Sequence, residues 1–331
     1  MAENNERLKN SEQLLEDLYL NLRQKLLKWA HITSQTPQAR MGYVGQHLTS
    51  IVTGYSGGKS GARGRDIIIN DSEFGEIKTC YRIDQVGICF NCKAKVASFE
   101  LKCNLCNSSK IDRKDDSKWL ITIKDEKELK ETFDPKIYYL VLFEFVDFNN
   151  PKDINASIYT LNPFAPGFSL CMIDYFFNIK SKSQSGAPFN FWPHSFKFHL
   201  MDTQLIYRSQ LKFNNKIITS IFPTINQPLK DNIELSNFTK SRNFSQDSIN
   251  EMLDYLKIKH STKNKKKNIL ILQSFFEKNK FDNELITTFL SYIIYKNVLE
   301  NNKEFVPKKT MEILNFNLKK IQSFLKDLQK N

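Results

Sequence analysis

Apolar residues recur at three- and four-residue steps between about 10 and 30, as Leu14, Leu15, Leu18, Leu22, Leu26 and Trp29, which predicts an amphipathic helix. Ser11 offers a loose start signal, and Glu12 and Glu16 place negative charge where a helix dipole favours it. Beyond a connector at 34–40, Val44, Leu48, Ile51 and Val52 form a second stripe and predict a shorter helix over 42–53. Gln46 and His47 sit within it, His47 reading as a surface residue. The pattern then shortens to strand length. Runs at 66–69 and 75–82 flank the turn residues Asn70, Asp71 and Ser72 and predict a hairpin. Further strands are predicted at 118–123, 137–145, 158–161, 173–179 and 196–205, with a short helix at 126–133 stopped before Pro135. The aromatic stretch 188–198, Trp192 included, reads as core filling. From 245 onward the helical period returns, near 248–258, 268–278, 283–299 and 308–329, with Asp282 as an N-cap and Pro307 opening the last helix.

This order predicts an α/β (α+β) chain with a strand-containing part over 1–230 and a helical domain over 231–331. Length and composition (331 residues, 40% hydrophobic, 25% charged) suit a soluble protein with sizeable cores. No apolar run approaches the roughly 18 residues that span a bilayer, so no membrane role is expected. The polar first residues do not read as a secretory leader, which makes the cytoplasm the expected location.

The net charge of +12 points toward polyanions, whose counterions each bound Lys or Arg releases. From 231 onward 18 Lys and Arg stand against 12 Asp and Glu, half of the excess, so both parts would share such a contact. The glycine-rich segment 54–64 carries Lys59 and Arg63, with Arg65 just after. Gly58-Lys59-Ser60 imitates the end of a P-loop, but Thr53 stands where that motif needs its first glycine. A basic loop against a phosphate backbone, or a plain solvated loop, fits instead, and the basic run 260–267 invites the same two readings.

Four of six cysteines form Cys89-x2-Cys92-x10-Cys103-x2-Cys106. Two Cys-x-x-Cys turns bring four thiolates to one metal, and a closed set of four cysteines is the pattern of structural Zn²⁺. The ribbon, at about 86–110, bears Lys93, Lys95 and Lys102, so it can touch DNA or only stabilise the fold. Cys80 and Cys171 read as small buried hydrophobes. Ahead of the ribbon stands Asp66, then, after nine residues, Glu76-Ile77-Lys78. Side chains alternate along a strand, so Glu76 and Lys78 share a face to which the hairpin can bring Asp66. Two carboxylates and the Ile77 carbonyl are hard oxygen ligands suited to Mg²⁺, and a lysine beside them can orient a water and offset phosphoryl charge. A surface hairpin with an ordinary Glu/Lys pair is the competing reading.

Asp66 and Glu76-x-Lys78 resemble the catalytic pattern of PD-(D/E)xK nucleases. Together with Gly42-Tyr-Val-Gly-Gln-His-Leu, Gly61-Ala-Arg-Gly-Arg-Asp66, Arg82-Ile-Asp-Gln85 and the four cysteines, they resemble the MamI family of type II restriction endonucleases, most densely over 40–110. The resemblance implies an endonuclease-like αβββαβ core with an inserted zinc ribbon. It also implies Mg²⁺-dependent, site-specific cleavage of double-stranded DNA at an interrupted palindrome, a homodimer and a companion methyltransferase. It assigns catalysis to Asp66, Glu76 and Lys78. Arg65 stands where the superfamily pattern has proline. A zinc-ribbon DNA-binding protein without catalysis and a repair or junction nuclease of the same core are the alternatives.

Overall fold

The computed structural model describes residues 2–33, 42–58, 65–82, 86–96, 100–113, 117–147, 153–183, 188–212, 217–222, 227–230 and 232–329. The chain is a mixed α/β protein that divides into two compact units. The first comprises 1–119, 137–160 and 204–229, and the second comprises 120–136, 161–203 and 230–331. The last segment of the second unit is the part expected to be helical, while its two earlier segments lie within the part expected to be strand-rich.

In the first unit, α1 (Ala2–Leu15), a π-helical turn (Glu16–Asn21) and α2 (Leu22–Thr33) run on as one helical stretch that begins earlier than the apolar period suggests. Ser11 is therefore no start signal. It is buried inside α1, where its hydroxyl donates to Leu8 O (2.7 Å) and meets Tyr207 Oη (2.9 Å). The helix α3 (Gly42–Thr53) follows as expected, then β1 (Ser56–Gly57), β2 (Ile67–Ile68) and β3 (Phe74–Tyr81). The strands of the cysteine ribbon, β4 (Gly87–Cys89), β5 (Lys95–Val96) and β6 (Ile111–Asp112), form their own sheet in the order β5-β4-β6. β7 (Trp119–Ile121), α4 (Glu126–Glu131) and β8 (Ile137–Phe145) come next. The chain order α3-β1-β2-β3, then α4 and β8, is the αβββαβ succession once the ribbon and β7, which pairs outside the seven-stranded sheet, are set aside as insertions after β3.

β9 (Asp153–Leu161) is longer than the strand expected at 158–161. The run 173–179, expected as a strand, is helical: α5 (Pro166–Asp174) continues into a π-helical turn at Tyr175–Ile179. Proline at the start favours the helix, and burial from Pro166 to Ile173 removes the polar face that would have marked its period. β10 (Phe189–Phe191) pairs with β7. The strand expected at 196–205 is divided. Ser195 caps the short helix α6 (Phe196–Leu200) by accepting from Phe198 N–H, and β11 (Gln204–Lys212) starts only afterwards. β12 (Ile217–Phe222) was not anticipated. Phe189, Phe191, Phe196 and Phe198 fill the core as expected, whereas Trp192 is 38% exposed.

The seven-stranded sheet has the order β1-β2-β3-β8-β9-β11-β12. Its β3–β8 pair is parallel, and β1–β2, β2–β3, β9–β11 and β11–β12 are antiparallel. Alternation along the strands divides the sheet into two faces. Ile77, Tyr139, Val141, Phe143, Ala156 and Ile158 join Leu15, Val44, Leu48 and Val52 in one core, so α1 and α3 cover that face. Glu76, Lys78 and Cys80 take the other.

The second unit is mainly helical. After a 3₁₀ turn at Leu235–Phe238 it holds α7 (Gln246–Tyr255), α8 (Lys265–Lys278), α9 (Asn283–Ile294), α10 (Lys296–Asn301) and α11 (Lys308–Leu328). Asp282 caps α9 by accepting from Leu285 N–H at 2.8 Å. Asn264 caps α8, so Lys265, Lys266 and Lys267 form a first helical turn and not part of a loop. Buried amides tie the helices: Asn317 Nδ2 reaches Thr288 Oγ1 (3.2 Å), and Asn268 Nδ2 reaches Asn250 Oδ1 (2.8 Å). Among the described residues no helix is long and apolar enough to cross a membrane.

Candidate active site and metal centre

Gly45 lets α3 lie directly on β3: a methyl group there would meet Thr79 Oγ1 at 2.1 Å. That close approach carries the next residue, Gln46, to Asp66, where Gln46 Nε2 donates to Oδ1 at 3.1 Å. The other oxygen, Oδ2, accepts from the backbone N–H of Ile77 at 2.9 Å. Two donors therefore fix the Asp66 carboxylate before any ligand arrives. The second of them also orients the strand. A strand residue projects its N–H and C=O to the same edge, so the Ile77 carbonyl is turned toward Asp66 as well.

Glu76, one residue earlier on β3, is 9% exposed. Its Oε1 pairs with Lys78 Nζ, while Oε2 is buried without a hydrogen-bond partner. Burial holds the Glu76 carboxyl above the usual glutamate range. The Lys78 charge pulls it back and the neighbouring Asp66 carboxylate pushes it up again, leaving a net rise. The structure thus brings together Asp66, Glu76, Ile77 and Lys78, all expected, and Gln46, which was not assigned a role. Its sequence signals were its position beside a glycine in an apolar stripe and its place in the Gly42-to-Leu48 stretch that carries the family resemblance.

An unpartnered buried carboxylate oxygen is costly in the absence of a cation. The oxygens of Asp66 and Glu76 and the Ile77 carbonyl form a hard donor set in which a divalent ion such as Mg²⁺ would relieve that cost. Asp66 retains free lone pairs after its two hydrogen bonds. These residues therefore fit such an ion.

The ribbon holds a second, chemically different donor set. The sulphurs of Cys89, Cys92, Cys103 and Cys106 all lie within 4.8 Å of one another, with Cys89–Cys106 at 3.5 Å and Cys92–Cys103 at 3.4 Å. A tetrahedron with Zn–S of about 2.3 Å has edges of about 3.8 Å, so this cage is zinc-sized. Each Cys-x-x-Cys closes the same way. Lys93 N–H donates to Cys89 O (3.0 Å) and Asn107 N–H to Cys103 O (2.8 Å), with Lys93 and Asn107 left-handed at φ 61° and 57°. Backbone N–H groups of Cys92 and Asn91 aimed at the Cys89 sulphur pull its thiol down to about 6, and those of Cys106 and Leu105 lower Cys103, while the facing thiols push Cys92 and Cys106 up, so the four share their ionisation. Thiolate is the metal-binding form. Cys80 and Cys171 are buried and stand apart, as expected.

Of the residues expected on DNA, Arg65 is exposed with its guanidinium 5.0 Å from the Phe74 ring. Lys93 and Lys95 are exposed on the ribbon. Lys59 and Arg63 lie outside the described residues. Gly58 N–H donates to Asp66 O at 2.9 Å, so Gly58, the last described residue before 65, lies beside Asp66.

A family model described as MamI restriction endonuclease matches residues 28–240, more than half of the chain. The chain belongs to the MamI restriction endonuclease family. The matched span contains both donor sets and all of the sheet. No curated protein and no solved structure matches the chain. Membership makes the chain a nuclease relative that acts on DNA, and restriction endonucleases as a class generally use a divalent metal.

Proposed function

We propose that the protein is a type II restriction endonuclease that hydrolyses phosphodiester bonds of double-stranded DNA with Mg²⁺ at a specific, palindromic site. The observation that carries this reading is the buried, unpartnered Oε2 of Glu76 beside an Asp66 carboxylate already held by Gln46 and Ile77 N–H. In this reading Asp66, Glu76 and the Ile77 carbonyl hold the ion. When bound, Mg²⁺ supplies Lewis-acid polarisation of the phosphoryl group and acidifies a water. Lys78 gives up its pairing with Glu76, orients the attacking water and offsets charge developing on the phosphoryl oxygens. Gln46 keeps the Asp66 carboxylate aimed at the ion. Arg65, Lys59 and Arg63 hold flanking phosphates, with Lys93 and Lys95 on the ribbon extending the contact.

Cys89, Cys92, Cys103 and Cys106 would fill all four positions of a zinc ion, so its role in this reading would be to shape the ribbon and not to cleave. A palindromic target suits a homodimer with one site per strand, and a methyltransferase of the same specificity would protect the host's DNA in the cytoplasm.

The test is digestion of phage DNA with Mg²⁺ by the wild type and by Asp66→Ala, Glu76→Ala and Lys78→Ala. Discrete bands from the wild type are expected. Each variant should lose at least roughly 10³-fold in rate, the scale of several kcal/mol of transition-state stabilisation, while still binding DNA. Undiminished cutting by all three variants would remove the assigned site, and a wild type that binds without cutting would make the chain a DNA-binding protein.

A further inference from the structure

The ribbon presents something that zinc and lysine do not account for. Its own core is small: Cys89, Val96 and Cys103 are buried, with Ala94 and Ile111 packed against them. Phe90 and Leu105 are left outside it, 57% and 81% exposed. Both belong to the Cys-x-x-Cys turns, one to each, and the turns share the backbone closure at Cys89 and Cys103 and converge on the same four sulphurs. Scattered apolar residues on a surface are ordinary. Two large ones set on tight, metal-tied turns differ, because their backbones are already ordered and little entropy remains to be lost on contact.

The surroundings select the occupant. Among the described residues of 86–113, Lys93, Lys95, Lys102, Lys110 and Arg113 outnumber Glu100 and Asp112. Lys93 Nζ stands 5.9 Å from the Phe90 ring, and Lys102 immediately precedes Cys103. Apolar tips with a cationic rim complement a nucleic acid duplex, in which phosphates flank a stack of apolar bases. Proteins with that combination insert the apolar side chain between base steps and deform the helix.

We propose that the zinc ribbon is a duplex-DNA wedge. Phe90 and Leu105 enter the base stack and partly unstack it, while Lys93 and Lys102 hold the adjacent phosphates. The energy of opening the stack depends on the step that is opened, so the wedge contributes sequence preference without hydrogen bonds to base edges. This inference rests on duplex DNA being the substrate but not on the cleavage chemistry.

The experiment uses the full-length protein with Ca²⁺ in place of Mg²⁺. A closed circular plasmid is relaxed in its presence by a type IB topoisomerase, which needs no Mg²⁺, and the topoisomers are resolved after protein removal. Unstacking unwinds the duplex, so the wild type should shift the distribution toward negative supercoils. Phe90→Ala/Leu105→Ala should keep its zinc, lose the shift and bind DNA roughly 10-fold more weakly, the scale of losing an aromatic stacked on a base. Lys93→Ala/Lys102→Ala should bind more weakly with a shallower salt dependence, yet restore the shift at saturating protein. The proposal is overturned if the wild type leaves the distribution unchanged, or if the Phe90/Leu105 variant matches it in shift and affinity. It is also overturned if that variant binds DNA normally but no longer self-associates in sedimentation, which would make the tips an interface between copies. A protein that unwinds DNA but never cuts it with Mg²⁺ would remove the nuclease reading and leave the wedge standing.

Discussion

Glu76 is held in the fold against its own chemistry. Burial raises its carboxyl pKa from the ordinary 4.5, and the Lys78 charge does not fully offset this. A raised folded pKa means that the ionised form costs stability. The cost is absent below about pH 4.5 and grows as pH rises through the folded value, above which it is fully present. Glu76→Gln removes that charge, so without added Mg²⁺ the variant should melt higher than the wild type, the gap widening with pH from about 4.5 upward. Cleavage should meanwhile be lost. Thermal melts at several pH values check this; a variant that melts lower at neutral pH would mean that the pairing with Lys78 outweighs burial. In the proposed site this is stability given up for function, a familiar trade.

Gln46 makes a subtler prediction. Its amide fixes one Asp66 oxygen at 3.1 Å without being a metal ligand in the proposed site. Gln46→Ala should leave DNA affinity unchanged and raise the Mg²⁺ concentration needed for half-maximal cleavage. A roughly 10-fold to 100-fold loss is the usual cost of removing a group that orients a ligand. Cleavage rate against Mg²⁺ concentration separates this outcome from general damage to the fold, which no added Mg²⁺ would repair.

At the scale of elements, what the sequence disclosed follows the strength of local signals. β8 matches its expected span because Ile137–Phe145 is long and rich in β-branched and aromatic residues. α9 was legible from Asp282, whose side chain makes the cap it advertises. α5 was not, because a helix buried on every side has no polar face to show its period. α6 was missed because Ser195, a competent cap, sits inside an aromatic run that also suits a strand. In the candidate site, Asp66, Glu76 and Lys78 were readable because they lie on one hairpin. Gln46 was not, since its role exists only once Gly45 lets α3 lie on Thr79.

The ribbon was the clearest element of all from spacing, and with zinc in its four-cysteine cage it would be the element most dependent on a metal. Three buried residues cannot hold three strands of two or three residues each. Most of the ribbon's folding free energy should therefore come from zinc, for which about 10–16 kcal/mol is typical in small zinc modules. Metal analysis should find one zinc per chain. Chelation, or Cys103→Ser, should expose the 86–113 segment to protease while the seven-stranded sheet still melts cooperatively. A metal-free ribbon that resists protease would contradict this assignment.

For the whole molecule, the proposed chemistry implies a partnership. One Asp66–Glu76–Lys78 set can cut one strand, and a palindrome presents the same phosphate twice, related by a two-fold axis. A homodimer would therefore cut both strands in one encounter, and an inactive subunit should convert it into a nicking enzyme. Wild type mixed with a tenfold excess of Glu76→Gln, given time to exchange subunits, would consist mostly of inactive homodimers and of mixed dimers with one live site. Supercoiled plasmid treated with Mg²⁺ should then accumulate as nicked circles, where the wild type alone gives linear product. Chains that act singly would behave otherwise. The excess variant would only compete for sites, slowing nicked and linear products by the same factor. The ratio of nicked to linear plasmid, followed as the variant is titrated in, distinguishes the two, and a ratio that never moves would rule out the dimer as the cutting unit.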